Sequence, residues 1–152
     1  MGFSPLGLLI ALAVLAPNLV LVIARPADGS PPDPGTPAVF TGLERVGQIG
    51  CLTLLAASRD GIRVASVNVW STLMILSLAT YWGLWGRYLM TGRTVAALFR
   101  PLGFVPVPMA VFPTLAFASA ALWIRSPWLA MVTADFAVGH LTNSWHSYCA
   151  IT

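Results

Sequence analysis

Of 152 residues, 57% are hydrophobic and only 9% charged, with a mean hydropathy of +0.81, where a soluble domain carries about a quarter charged residues. All eight basic residues are arginine, giving a net charge of +3 spread thinly along the chain, which excludes a basic nucleic-acid face and leaves lipid as the solvent. The composition predicts an all-α integral membrane protein, a five-helix transmembrane bundle forming one domain over residues 1–152, with four spans plus a re-entrant or interfacial second segment as the alternative.

The first span is residues 3–24, whose 22 residues cover ~33 Å against a hydrocarbon core of ~30 Å. No basic residue precedes it, and it is too long for a cleaved signal core, so it reads as a retained helix. Pro17-Asn18 interrupts it, removing one ladder hydrogen bond and freeing a carbonyl one turn back. Residues 25–37 hold five prolines and read as an extended surface connection.

The second span, residues 39–58, opens with Thr41-Gly42-Leu43-Glu44, which has the form of a capping box and would start the helix at Gly42. Arg59-Asp60-Gly61 reads as its stop. The third span is residues 64–88. Trp70 at one end and Tyr81, Trp82, Trp85 and Tyr88 at the other suggest an aromatic belt at each interface. Residues 91–100 read as a short interfacial helix. The fourth span, residues 102–124, contains Pro106, Pro108 and Pro113, so its first half should be bent or unwound. The fifth is residues 127–148.

Arg25, Arg45, Arg87, Arg93 and Arg100 fall on one side of such a bundle, opposite Arg59, Arg63 and Arg125. The excess places the first group in the cytoplasm, with the N-terminus out and the C-terminus in. Cys51 and Cys149 have no metal or redox spacing and read as free thiols.

Ionisable groups inside hydrocarbon are the leads to function. On the fifth span Asp135, Gly139, Thr142 and His146 share one face, flanked by Asn143, and that face should turn inward; His140 points about 140° from Asp135 at 100° per residue. Asp135 and His146 are about 16 Å apart along the axis, too far for a dyad. On the second span Thr41, Glu44, Gln48 and Cys51 share a face. The bland alternatives are a helix-capping Glu44, a bundle-locking Asp135 and packing histidines.

The leading functional reading is a polar intramembrane site for a lipid-soluble small molecule, with acid–base chemistry on an isoprenoid-type substrate. Asp135 would be the acid, Glu44 a second acid or base, and His140 or His146 a proton shuttle. Gln48, Asn143, Thr142 and Trp82 would bind the substrate. The alternative is non-enzymatic: a small proton-coupled carrier working as a homo-oligomer, or an immunity- or partner-type membrane component. No metal or cofactor is expected, because two histidines six residues apart with no convergent carboxylate on one face make a weak metal site, and phosphate loops and nucleophile elbows are missing from the sequence.

Pro17-Asn18, the stretch Glu44-Arg45-Val46-Gly47-Gln48-Ile49-Gly50-Cys51, and Gly139-His140 followed by Ser144 and Tyr148 together resemble a family of small bacterial polytopic membrane proteins of about this length. The resemblance implies the five-helix layout and a membrane location. No activity, substrate or site residue comes with it.

Overall fold

The computed structural model describes residues 2–31, 33 and 35–151, with the backbone alone at Arg63; Pro32 and Pro34 of the proline-rich connection lie outside the described residues. The chain is all-α: among the described residues there is no strand, only two isolated bridges. The first helix is broken as its proline requires, into α1 (Pro5–Leu15), a tight 3-10 turn (Ala16–Leu19) and α2 (Val20–Ile23). Taken together, Pro5–Ile23 is long and apolar enough to cross a membrane, with a mean hydropathy of 2.7 over its best window. Among the described residues no other helix reaches that mark, so the five-span reading is matched in its helical class and in one span. α7 (Pro108–Trp123) is apolar but shorter.

Pro17 has no N–H to offer the carbonyl four residues back. That carbonyl, on Ala13, accepts instead from the indole Nε1 of Trp82, at 2.9 Å. Two further tyrosines stitch the same segment to α5 (Val69–Met90): Tyr81 donates to Asn18 Oδ1 at 2.7 Å, and Tyr88 to the Ala24 carbonyl at 2.8 Å, where α2 ends. Tyr81, Trp85 and Tyr88 are therefore core residues, 2%, 4% and 0% exposed. The expectation that they form an interfacial belt is corrected, because the two tyrosine hydroxyls are spent on the Asn18 side-chain amide and the Ala24 carbonyl of a broken helix, and Trp85 packs edge-on against both tyrosine rings. Trp82→Phe should leave the Ala13 carbonyl unpaired and lower stability by about 1 kcal/mol. Adding Pro17→Ala should recover most of that loss in a melting experiment, since the restored N–H supplies the missing donor.

α3 (Ala38–Ala56) begins one turn before the expected start, directly after Pro37. Thr41 and Glu44 thus lie inside the helix and form no capping box. A box does exist on α5, where Asn68 caps Ser71 and Ser71 returns the bond. α3 stops at Ala56, two residues short of the expected end, where the segment before α1 takes the carbonyls of Ala56 and its cap Ala57: Ser4 N–H donates to Ala56 and Gly2 N–H to Ala57. Arg59-Asp60-Gly61 then opens the short α4 (Arg59–Val64) instead of closing α3.

The 91–100 segment keeps one turn of helix, α6 (Val95–Leu98), capped by Thr94 and by Asp28 from the proline-rich connection. Ala97 and Leu98 pack into the Tyr81–Trp85–Tyr88 cluster. Residues 101–107 are not helical, as their prolines require. The chain closes with α8 (Pro127–Cys149), which lies antiparallel against α3 and beside α7.

Candidate functional site

The contact between α3 and α8 is built from glycines. A Cβ at Gly139 would stand 2.4 Å from the Glu44 amide nitrogen and 2.4 Å from the Phe40 carbonyl; one at Gly47 would stand 2.3 Å from the Phe136 amide nitrogen. Neither position can carry any other residue without moving a backbone. Small residues bring the helix axes close, and side chains beside the glycines meet across the seam.

At that seam sits a carboxylate about 9 Å into α3 from its start. Glu44 Oε1 lies 2.6 Å from His140 Nδ1, and Glu44 Oε2 accepts from Asn143 Nδ2 at 2.6 Å. Asn143 Oδ1 accepts in turn from the Thr36 hydroxyl, at the end of the proline-rich connection. Both members of the Glu44–His140 pair are about three-quarters buried, at 27% and 22% side-chain exposure. An ionised carboxylate only accepts, so with Glu44 charged the imidazole hydrogen sits on Nδ1 and the free lone pair of a neutral ring is on Nε2. The ring also stacks on Phe136 (4.8 Å between centroids, 16° between planes), which meets Phe117 edge-on. Ring plane and tautomer are both held, as a proton-transfer group requires. About two turns further along the seam, Cys51 Sγ and Thr133 Oγ1 are 3.4 Å apart, both buried.

His140 is also the link to a cavity of about 150 Å³ whose lining includes Asn18, Tyr81, Trp85, Met109 and Ser144. Glu44 and Phe136 do not line it. With Nδ1 turned to the carboxylate and one face on Phe136, the opposite face of the ring and the edge that carries Nε2 are what remain to meet the cavity. Pro31 covers part of the same space, so the proline-rich connection both roofs the cavity and reaches the dyad through Thr36.

The residues named from sequence are distributed as follows. Glu44, His140 and Asn143 come together. Asp135 is half-buried and, among the described residues, makes no hydrogen bond or ion pair; His146 is exposed, in the last turns of α8. Thr142 and Gln48 are partly buried, and Trp82 holds the Ala13 carbonyl at the protein surface. The fully buried residues of α8 are Leu129, Thr133, Phe136, Gly139 and Ser147; of the expected face Gly139 is among them, Asp135 and Thr142 are half-buried, and His146 is turned outward. The reason is that Gly139 sets the closest approach, and the residues on its C-terminal side, His140 and Asn143, then fall on either side of Glu44. Thr36, Asn18, Tyr81, Trp85 and Phe136 were missed. A signal for two of them was present: Tyr81 and Trp85 recur with Tyr88 at spacings of four and three, the stripe of a buried helix face.

Comparisons with protein-family models, curated proteins and solved structures find no match to this chain.

Proposed function

We propose that this protein is a multi-pass membrane protein whose Glu44–His140 dyad performs acid–base chemistry on a lipid-soluble small molecule held in the adjoining cavity. The single observation that carries the reading is the 2.6 Å carboxylate–imidazole contact at the edge of a mostly apolar cavity. Glu44 orients the ring and stabilises the imidazolium, His140 Nε2 moves the proton, and Asn143 and Thr36 hold the carboxylate in place. A positioned histidine of this kind contributes about 10²–10⁴-fold to a proton transfer. The substrate is of isoprenoid type in the sense that matters physically: apolar, slender and drawn from the bilayer.

The membrane reading is supported by surface chemistry. Leu9, Leu19, Val22 and Ile23 of the first helix, Val46 and Ile49 of α3, Ile75 and Leu76 of α5, and Trp128, Met131 and Val138 of α8 all face outward. Apolar side chains turned outward on four helices at once support contact with lipid. α5 and α8, at 22 and 23 residues, reach about 33–35 Å, enough to span; their serines, tryptophans and tyrosines lower their hydropathy without shortening them. Arg25, Arg93 and Arg100 gather at one end, where the Ala27 amide bonds the Arg93 carbonyl and the Arg87 guanidinium the Arg100 carbonyl, and this end is cytoplasmic in the proposed orientation. An impermeant thiol reagent should then leave exposed Cys149 unlabelled in intact cells and label it after lysis, while Cys51, 0% exposed, reacts only on unfolding. Labelling of Cys149 before lysis would invert the orientation.

The chemistry is tested by purifying the protein from its own membranes, extracting it with organic solvent and identifying what co-purifies by mass spectrometry. Returned to the protein in D₂O, that molecule should take up deuterium, and Glu44→Gln should slow the uptake about 100-fold. An extract free of any bound lipid-soluble molecule, or uptake untouched by Glu44→Gln, overturns the proposal.

A further inference from the structure

A two-residue hairpin precedes α7. Leu102 and Val105 exchange both backbone bonds, each at 3.0 Å, and Gly103 supplies the left-handed first residue of the turn at φ +56°. That leaves Phe104 at the tip, 98% exposed, with Leu102 also exposed at the base. A turn closed in this way is already ordered, so presenting Phe104 to a partner costs little entropy. Both ends of the hairpin are tied to α5. On one side the Arg87 guanidinium donates to the carbonyls of Arg100, at 2.7 Å, and Pro101, at 3.4 Å; on the other, Val107 shares the cavity wall with Trp85. Phe104 is thereby held beside the last two turns of α5, at the cytoplasmic end of the proposed orientation.

Two arginines without an acid stand at the root of this hairpin. The two printed bonds of Arg87 go to neutral carbonyls, and its Nε is buried with no hydrogen-bond partner among the described residues. The charge that acts on it is the like charge of Arg100, which is exposed and, among the described residues, makes no ion pair. Asp28 also reaches this end, but it caps Val95 and lies with Arg93 near Tyr88. Like charges held together without a counter-ion attract an anion. We propose that the hairpin is a contact for anionic lipid in the cytoplasmic leaflet, with Phe104 seated below the headgroups and Arg100, backed by Arg87, on the lipid phosphate. Phenylalanine beside arginine is the pairing by which amphipathic segments settle at a lipid interface, and guanidinium matches phosphate through its planar fork. This rests on the membrane reading of the proposed function and adds a lipid class and the residues that select it. A zwitterionic lipid would cover Phe104 but bring no net charge to the two guanidiniums. A soluble anion would meet the arginines and leave Phe104 in water.

The test places an apolar bimane label at the tip by Phe104→Cys combined with Cys149→Ser; Cys51, at 0% exposure, stays unlabelled. The protein is reconstituted in phosphatidylcholine vesicles carrying a small fraction of chain-nitroxide lipid, either phosphatidylcholine or phosphatidylglycerol. Both should quench the label, and phosphatidylglycerol should be enriched beside it about fivefold or more, the worth of one arginine at an anionic surface. Arg100→Gln keeps the backbone carbonyl that Arg87 bonds and should cut the enrichment by about that factor. Equal quenching by the two lipids, or enrichment untouched by Arg100→Gln, overturns the anionic-lipid assignment. A second label by Leu76→Cys, exposed in the middle of α5, separates the remaining failures. Quenching at 76 with the tip unquenched overturns the hairpin contact and leaves the membrane reading standing. Quenching at neither position overturns both.

Discussion

Glu44→Leu should destabilise the detergent-solubilised protein by about 2–4 kcal/mol, read as a lowered melting temperature. Leaving a buried donor without its acceptor costs about 1–3 kcal/mol, and the substitution strands two donors at a site that is only three-quarters buried, which trims the sum. The loss has two parts. His140 Nδ1 and Asn143 Nδ2 each lose their acceptor, and the Thr36–Asn143 bond that anchors the proline-rich connection loses its reason to be ordered. Glu44→Gln should cost about 1 kcal/mol or less. Its amide oxygen still accepts from His140, and a flip of the Asn143 amide reverses the rest of the chain, with the Thr36 hydroxyl now accepting. A charge-neutral Gln therefore spares the fold and removes the proton chemistry. Equal melting of Glu44→Leu and wild type would show that the carboxylate holds nothing together.

Gly139→Ala should be the most damaging single-methyl substitution on α8. The added carbon would overlap the Glu44 amide nitrogen and the Phe40 carbonyl at 2.4 Å, and both are backbone atoms of a helix that cannot rotate aside. Relief requires α3 and α8 to separate by about 1 Å, given ordinary carbon contacts of about 3.5 Å or more. That shift breaks the 2.6 Å contacts of Glu44, so stability and proton transfer fall together. Overpacking of this kind costs about 3 kcal/mol, the upper end of its usual range. Gly86→Ala on α5 is the matched control, because nothing lies within 4 Å of its Cβ. There the better helix propensity of alanine should stabilise by up to about 1 kcal/mol. If the two substitutions behave alike in thermal unfolding, the close approach at Gly139 is not what holds the seam.

The contrast between these glycines explains what could be read in advance. Gly47, Gly83, Gly86 and Gly139 look alike in sequence, since glycine is common in membrane helices. Only the helix crossing separates the two that touch backbone from the two that face open space. Glu44 was ambiguous for a similar reason. Thr41-Gly42-Leu43-Glu44 has the spacing of a capping box, and local chemistry alone makes that a sound assignment. Pro37 starts the helix one turn earlier and turns Glu44 into a mid-helix acid with a partner 96 residues away.

By itself the sequence determined the main breaks between helices. Prolines at 17, 37, 106 and 108 lack the N–H that a helix ladder needs, so the breaks before α3 and α7 and within the first helix follow from covalent structure. The carbonyl freed by Pro17 was legible too, as was the all-α class. The tertiary structure alone decided which faces turn inward. In a soluble protein the apolar stripe marks the buried face, but α1 and α7 are apolar nearly all round, so hydrophobicity does not separate inside from outside. What orients such helices is close packing through small residues and the pairing of buried polar groups. Those are pairwise facts about distant residues, Gly139 against Phe40, His140 against Glu44, Tyr81 against Asn18, and no single segment contains them.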